Sequence, residues 1–237
     1  MMWGFHDYVP VARKREKASE KLEQLRKKNP LIQPVVISGT KIATTFWGLA
    51  WNRNLESYAD YAYRIERGRS YVRNGMVLDL RIGEGLAEGL VMGSRNDPYK
   101  VKTTIDKIAE NKWKAISEEC GRKIGGIEEL AKGIFPREYA EIFLRQEKGL
   151  FPSPKEIQFS CSCPDWAGMC KHVAAVLYGI GTRLDTDPLL FFTLRGIDFN
   201  ELIKKSVTEK MENMLKNAGA RTPRVIKNAD LADIFGL

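Results

Sequence analysis

The chain has 237 residues, of which 43% are hydrophobic and 10% aromatic, a composition typical of a globular protein with its own core. No apolar run approaches the roughly 18 residues that cross a bilayer, and the first residues, MMWGFHDYVPVARKREK, contain no apolar stretch of the secretory type. We therefore expect neither a membrane-spanning nor a secreted protein, and predict a cytoplasmic one with reduced thiols.

The charge is unbalanced, with 38 lysines and arginines against 30 acidic residues and a formal net charge of +8. Such an excess favours polyanionic partners, nucleic acid first. The alternative is that the charge only keeps the protein soluble, and charge alone does not decide between the two interpretations.

Residues 10–28 form a charged segment, PVARKREKASEKLEQLRKK, with few apolar positions. Lysine and arginine outnumber glutamate in it by eight to three, and Asn29-Pro30 is a stop signal. We predict a basic helix that ends there. It either touches nucleic acid or is a solvated or docking helix, and the sequence leaves both interpretations open.

Residues 31–50 have extended character, and a helix is predicted from residue 51 to a stop at Gly68. Four residues fall on one face of that helix: Leu55, Tyr58, Ala62 and Ile65. The aromatic residues Trp47, Trp51 and Tyr58 are either stacking platforms or core, and their helical spacing favours the core.

Residues 69–104 are predicted to be β structure. Asn74-Gly75 lies between two alternating segments, which is typical of a type I′ hairpin turn because both central residues need positive φ. Gly83-Glu84-Gly85 predicts a second turn, giving a small antiparallel meander of three or four strands. Residues 106–147 are predicted to be helices separated at Gly125-Gly126 and Pro136.

The stretch SCSCPDWAGMCKHVAAVLYG, which begins at Ser160, holds three of the four cysteines and one of the two histidines. A short strand is predicted before it and a helix from about Lys171. The apolar stripe of that helix consists of Val173, Val176, Leu177 and Ile180. A long helix is predicted near residues 198–217, and Asn228 is a candidate cap for a last short one.

The soft ligands follow the spacing C-x-C-x6-C-x-H, formed by Cys161, Cys163, Cys170 and His172. Zinc takes such ligands in a tetrahedron, with Zn–S bonds of about 2.3 Å. Pro164 and Gly168 let the intervening loop turn and return, and the second ligand pair falls at a helix start, where the helix dipole stabilises thiolate. The pattern predicts one zinc ion.

Three alternatives compete with zinc: buried packing cysteines, a redox pair, and an iron–sulfur cluster with Cys120 as fourth ligand. The polar residues among the cysteines and the absence of a C-x-x-C pair argue against the first two, and an iron–sulfur cluster usually has four cysteine ligands. Four protein ligands leave no open position, which favours structural zinc. With no Gly-rich phosphate loop, H-E-x-x-H or nucleophile elbow, and with His6 as the only other histidine, we expect no enzyme and no small-molecule substrate.

The ligand spacing is the signature of the SWIM-type zinc finger, and residues 150–198 resemble the stand-alone SWIM zinc finger proteins of bacteria and archaea. Upstream, WGLAW at 47–51, RGRSYVRNG at 67–75 and MGSRNDPYKV at 92–101 are similar to recurring blocks of that family. The resemblance covers residues 40–200. It implies a ββα-like finger, with zinc held by the four ligands, and a role in binding DNA or protein. Stand-alone prokaryotic forms are associated with Swi/Snf-type helicases.

We therefore predict an α+β fold: a small antiparallel β-meander with flanking helices, a SWIM-type ββα-like zinc finger and C-terminal helices. The predicted segments are a basic helical segment (1–35), an α+β domain (36–148), the finger region (149–200) and a helical tail (201–237). The predicted function is that of a nucleic-acid-binding adaptor, accessory to a Swi/Snf-type ATPase. The alternative is a scaffold subunit of a larger, RNA-containing complex.

Basic residues interleaved with aromatic ones give the candidate nucleic-acid surface, because cations suit phosphates and aromatic rings suit bases. The candidates are Arg64, Arg67, Arg69, Tyr71, Arg73, Arg95, Lys100 and Lys102. Arg69 and Arg73 are expected on one face of a strand. The competing interpretation is that these arginines form salt bridges with Glu66, Asp79 and Glu84.

Overall fold

The computed structural model describes residues 9–57, 62–121, 137–145, 148–165 and 167–218. Within these ranges the helices are α1 (Val11–Lys28), α2 (Phe46–Glu56), α3 (Ala62–Arg73), α4 (Glu110–Gly121), α5 (Arg137–Phe143), α6 (Lys171–Thr186), α7 (Leu190–Leu194) and α8 (Phe199–Ala218). The strands are β1 (Val77–Gly83), β2 (Leu86–Val91), β3 (Tyr99–Ile105) and β4 (Ile157–Cys161), and a 3-10 turn covers Pro154–Glu156. Tyr58, Gly125-Gly126, Pro136 and Asn228, singled out above, lie outside the described residues.

The four strands form one antiparallel sheet in the order β1-β2-β3-β4. This confirms the predicted meander, with the strand before the cysteines as its fourth member. The predicted second turn is also confirmed: Gly85, at φ 63°, occupies the left-handed conformation between β1 and β2. The α+β class is therefore correct.

Helix α6 is the centre of the fold and packs against α2, α3 and one face of the sheet. Eleven of its 16 residues are buried, including the predicted stripe, so it is a core helix rather than a surface one. It approaches the sheet so closely that a Cβ at Gly89 would lie 2.7 Å from Val176 Cγ2. A glycine is therefore required in β2.

Two tryptophans of α2 fill the core beside α6. Trp47 and Trp51 are 3% and 0% exposed, and Trp51 Nε1 donates to the carbonyl of Leu177 at 2.8 Å, which confirms the core interpretation for this pair. One cluster of buried side chains includes Ala18 of α1 together with the sheet, α6 and α7. The division into four segments stays a prediction. None of the helices in the described ranges is long and apolar enough to span a membrane.

The boundaries of the first two central helices differ from the prediction. Residues 46–50 are helical rather than extended, because Thr45 caps α2 and is itself fixed by donating to Asp185 Oδ1 at 2.6 Å. Gly68 lies inside α3 and does not end it. Its role is steric, since a Cβ there would lie 2.4 Å from Ala174 Cβ where α3 crosses α6.

The hairpin predicted at Asn74-Gly75 is wrong, because Ser70–Arg73 belong to α3. Gly75 has a φ of 68°, but this positive φ ends a helix instead of joining two strands. Its N–H bonds to the Val72 carbonyl, and the N–H of Met76 bonds to that of Tyr71, a Schellman arrangement. The prediction of a positive φ at Gly75 is therefore confirmed, but this glycine ends helix α3 and does not form a hairpin turn.

The crossing of α3 and α6 gives a stability prediction. We expect Gly68→Ala to lower the free energy of unfolding by about 2 kcal/mol, because the added methyl group overlaps Ala174. Gly83→Ala is the matched control: it has negative φ and no atom within 4 Å of the new Cβ, so we expect less than about 0.5 kcal/mol. Urea denaturation of both variants measures the difference, and equal stabilities would contradict this packing.

Candidate metal centre

The four predicted ligands come from the two elements that meet at the end of the sheet. Cys161 is the last residue of β4, Cys163 follows it, Cys170 is the N-cap of α6, and His172 lies in the first turn of that helix. Their ligand atoms lie within 4.8 Å of one another. The fold therefore brings together all four residues, which are separated by a loop in the chain.

The distances suit a tetrahedral zinc ion. His172 Nδ1 lies 3.7 Å from Cys170 Sγ and 3.9 Å from Cys161 Sγ. Bond lengths of about 2.3 Å for Zn–S and 2.0–2.1 Å for Zn–N give tetrahedron edges of about 3.5–3.8 Å. The cluster is thus a closed site for a single structural zinc. Cys120, on α4, is not part of this cluster, and the fourth ligand is a histidine, which does not fit a four-cysteine iron–sulfur cluster.

Cys170, at the start of α6, has the lowest pKa of the three thiols in the cluster. Its pKa is lowered by the hydrogen bond from Cys161, and then by His172 and the backbone N–H of Val173. The pKa of Cys161 is raised in turn, chiefly because it donates to Cys170. The pKa of Cys163 is also raised, chiefly by burial, so zinc would displace the protons of Cys161 and Cys163, because it binds cysteine as thiolate.

Two tyrosines hold the imidazole of His172. The Tyr99 ring centroid lies 4.4 Å from that of His172, and Tyr71 meets the ring edge-on at 5.5 Å. Each tyrosine also carries a cation: Arg95 Cζ lies 5.6 Å from the Tyr99 ring and Lys171 Nζ lies 5.9 Å from the Tyr71 ring. We call these five side chains the imidazole ladder.

Zinc ligation through Nδ1 leaves His172 Nε2 on the protein side of the ring. This buried atom has no hydrogen-bond partner among the described residues, and a Cβ at Gly93 would lie 3.0 Å from it. Packing, not a second hydrogen bond, therefore orients the ligand ring. Neither Tyr99 nor Gly93 was identified as part of the site from the sequence, although both fall in the block at 92–101 that resembles the SWIM family.

Helix α3 fixes the loop between the ligand pairs. Arg64 donates to Asp165, whose other carboxylate oxygen accepts from the backbone N–H of Ala167 at 3.2 Å. Asp165 is therefore engaged in holding the loop. Arg64 therefore does form an ion pair, but its partner is Asp165 and not one of the three predicted acids, Glu66, Asp79 and Glu84.

The four arginines of α3 lie on two opposite sides of the helix. At about 100° per residue, Arg64, Arg67 and Tyr71 share the side that faces the zinc site. Arg69 and Arg73 occupy the other, where Arg69 pairs with Glu56 and donates to Tyr178 at 3.2 Å. The expected strand face is wrong, because this segment is helical, and the ion-pair partner of Arg69 is Glu56 rather than one of the three predicted acids.

The lysines of β3 lie on a third surface. Lys100 and Lys102 alternate with Tyr99 along the strand, so they point to the open face of the sheet. They line a groove of about 490 Å³ together with Arg81 and Glu88. Glu88 lies between Arg81 and Lys102 in the strand register and partly neutralises this face.

Four cations from three elements surround the zinc site. Lys171 is half-buried, and burial and then the positive charge of Arg67 lower its pKa. Arg67 and Arg95 are exposed. We call Arg64, Arg67, Lys171 and Arg95 the finger cations.

An ion pair between Arg195 and Glu156 lies at the start of β4, the strand that ends at Cys161. Arg195 is fully buried, donates to Glu156 Oε1 at 2.5 Å and to the Asp106 carbonyl at 2.7 Å, and so fixes the turn before β4. A single sequence does not indicate this pair, because arginine side chains are ordinarily exposed to water.

Comparison with known proteins agrees with this geometry. Residues 153–179 match the SWIM zinc finger family, so the chain contains a SWIM zinc finger. An uncharacterized protein of Mycobacterium tuberculosis is 32% identical over 163 residues, which cover 68% of this chain. The chain spans only 58% of the length of that relative. No solved structure matches the chain.

The zinc site predicts the effect of removing one ligand. Cys170→Ser should lose the bound zinc and lower the melting temperature, because structural zinc stabilises the folded state directly. Cys120→Ala is the control: it also removes one buried cysteine, but outside the cluster, so zinc stoichiometry should stay at one. Metal analysis and thermal unfolding, each with and without chelator, measure this. Full zinc content in Cys170→Ser would show that the ligands are misassigned.

Proposed function

We propose that the protein is a zinc-stabilised adaptor that binds nucleic acid through the finger cations. The observation that carries the proposal is their position: cations from α3, from α6 and from the β2–β3 loop lie around one metal site. A cluster of like charges on a protein with a net charge of +8 attracts a phosphate backbone. The role is binding rather than catalysis, because the metal has four protein ligands and no open position.

The mode of contact is phosphate binding rather than base stacking. Tyr99 is 4% exposed and Tyr71 is half-buried, and both rings pack on His172. Their faces are therefore not free for bases. Zinc in this proposal does not touch the ligand; it holds the ends of β4 and α6, and with them the loops that carry the cations.

The partner and the cellular setting rest on the resemblance alone. Stand-alone SWIM proteins are associated with Swi/Snf-type ATPases, so we propose an accessory role beside such an enzyme in the cytoplasm. The relative from M. tuberculosis is uncharacterized and adds no activity.

A protein-docking scaffold is the second candidate function, and α8 favours it. Val207, Met211 and Met214 follow the i, i+4, i+7 spacing of one helical face, and they are 40%, 60% and 62% exposed. Exposed apolar side chains at this spacing suit a helix-binding groove on a partner. Salt-insensitive co-purification with one protein, without binding to DNA or RNA, would select this function.

Charge reversal tests the nucleic-acid proposal. Arg67→Glu with Arg95→Glu should weaken binding at least tenfold and reduce the salt dependence by about two phosphate contacts, because each neutralised phosphate releases counterions. Lys204→Glu with Lys216→Glu on α8 makes the same change in net charge on exposed lysines outside the finger cations. Fluorescence anisotropy over a salt series measures both, with circular dichroism as the folding check. Equal losses in the two double variants would contradict the proposal.

A further inference from the structure

Helix α1 is attached next to the finger cations. Lys17 Nζ donates to Asn96 Oδ1 at 3.0 Å, and Lys21 Nζ lies 2.7 Å from Asp97 Oδ1. Both acceptors belong to the β2–β3 loop, which also carries Arg95. Ala18, 2% exposed, packs into the core, so the middle of the helix is held in place.

The first turns of α1 project from the body. Every residue from Val11 to Glu16 is exposed, whereas burial begins at Lys17 and Ala18. This projecting end carries three successive cations, Arg13, Lys14 and Arg15. Arg13 and Arg15 are two residues apart, which places them about 200° apart, on opposite sides of the helix.

We propose that the projecting end of α1 enters the major groove of duplex DNA beside the finger cations. An α-helix is about 10–12 Å across with its side chains, and the major groove of B-DNA is about 12 Å wide. Cations on opposite sides of the helix then reach the phosphate backbones on both sides of the groove. This inference rests on the proposed function and names its substrate class.

Two features separate duplex DNA from other nucleic acids. The A-form RNA duplex has a deep, narrow major groove that does not admit the helix. Single strands are bound through stacking on exposed aromatic rings, and no aromatic side chain described by the structure is exposed. We therefore expect duplex DNA to bind more tightly than a single strand or an RNA duplex of the same sequence.

The test uses the zinc-loaded full chain and anisotropy with duplex DNA, one of its strands, and duplex RNA of the same sequence and length. Arg13→Glu with Arg15→Glu should weaken duplex DNA binding at least tenfold and abolish the preference for duplex over single strand. Lys204→Glu with Lys216→Glu on α8 is again the control, because these exposed lysines belong neither to α1 nor to the finger cations.

A neutral variant, Arg13→Gln with Arg15→Gln, keeps good helix formers and should give an intermediate loss. The inference is overturned if the charge reversals on α1 and on α8 weaken binding equally, if the Arg13 and Arg15 variants bind as the wild type does, or if duplex RNA binds as tightly as duplex DNA. If Arg67→Glu with Arg95→Glu still weakens binding in those cases, the proposed function stands without α1. A wild-type chain that binds none of the three nucleic acids overturns both.

Discussion

The zinc tether between the end of β4 and the start of α6 is the constraint on which the described fold depends most. Helix α6 is buried along most of its length and is the surface on which α2, α3 and the sheet pack. A helix that is apolar on nearly every side packs through nonspecific contacts, which do not determine where its first turn lies relative to its neighbours. The four ligands supply that point, because they fix the first turn of α6 against a strand end.

The sequence predicted those parts of the protein whose cause is local. Ligand spacing identified all four zinc ligands, apolar periodicity identified α6, and a charged segment followed by Asn29-Pro30 identified α1. The prediction failed where the same local sequence pattern is compatible with two different structures. Positive φ at Gly75 ends a helix as well as it makes a hairpin turn, and Gly68 is required by the neighbouring helix rather than by its own. Contacts between distant elements, such as Arg195 with Glu156, leave no mark in a single sequence.

The same limit explains why the predicted nucleic-acid-binding residues do not form one surface. Four arginines within ten residues suggested one basic patch, but helical geometry separates them onto opposite sides of α3. One pair faces the zinc site, and on the other side Arg69 is bound to Glu56 and Tyr178. Meanwhile Lys171 and Arg95, from distant parts of the chain, each lie over a tyrosine that packs on the metal-binding histidine. Three-dimensional proximity thus replaces sequence proximity in defining the surface.

The imidazole ladder has a consequence for the thermodynamics of recognition. Arginine and lysine side chains each lose about 2 kcal/mol of rotamer entropy when they are fully immobilised. Arg95 and Lys171 already lie over tyrosine rings that are packed on a buried histidine, so part of this ordering has taken place before any ligand arrives. The metal site therefore acts as an anchor that preorganises side chains on the outside of the protein, and a polyanion meets them with a smaller entropic cost.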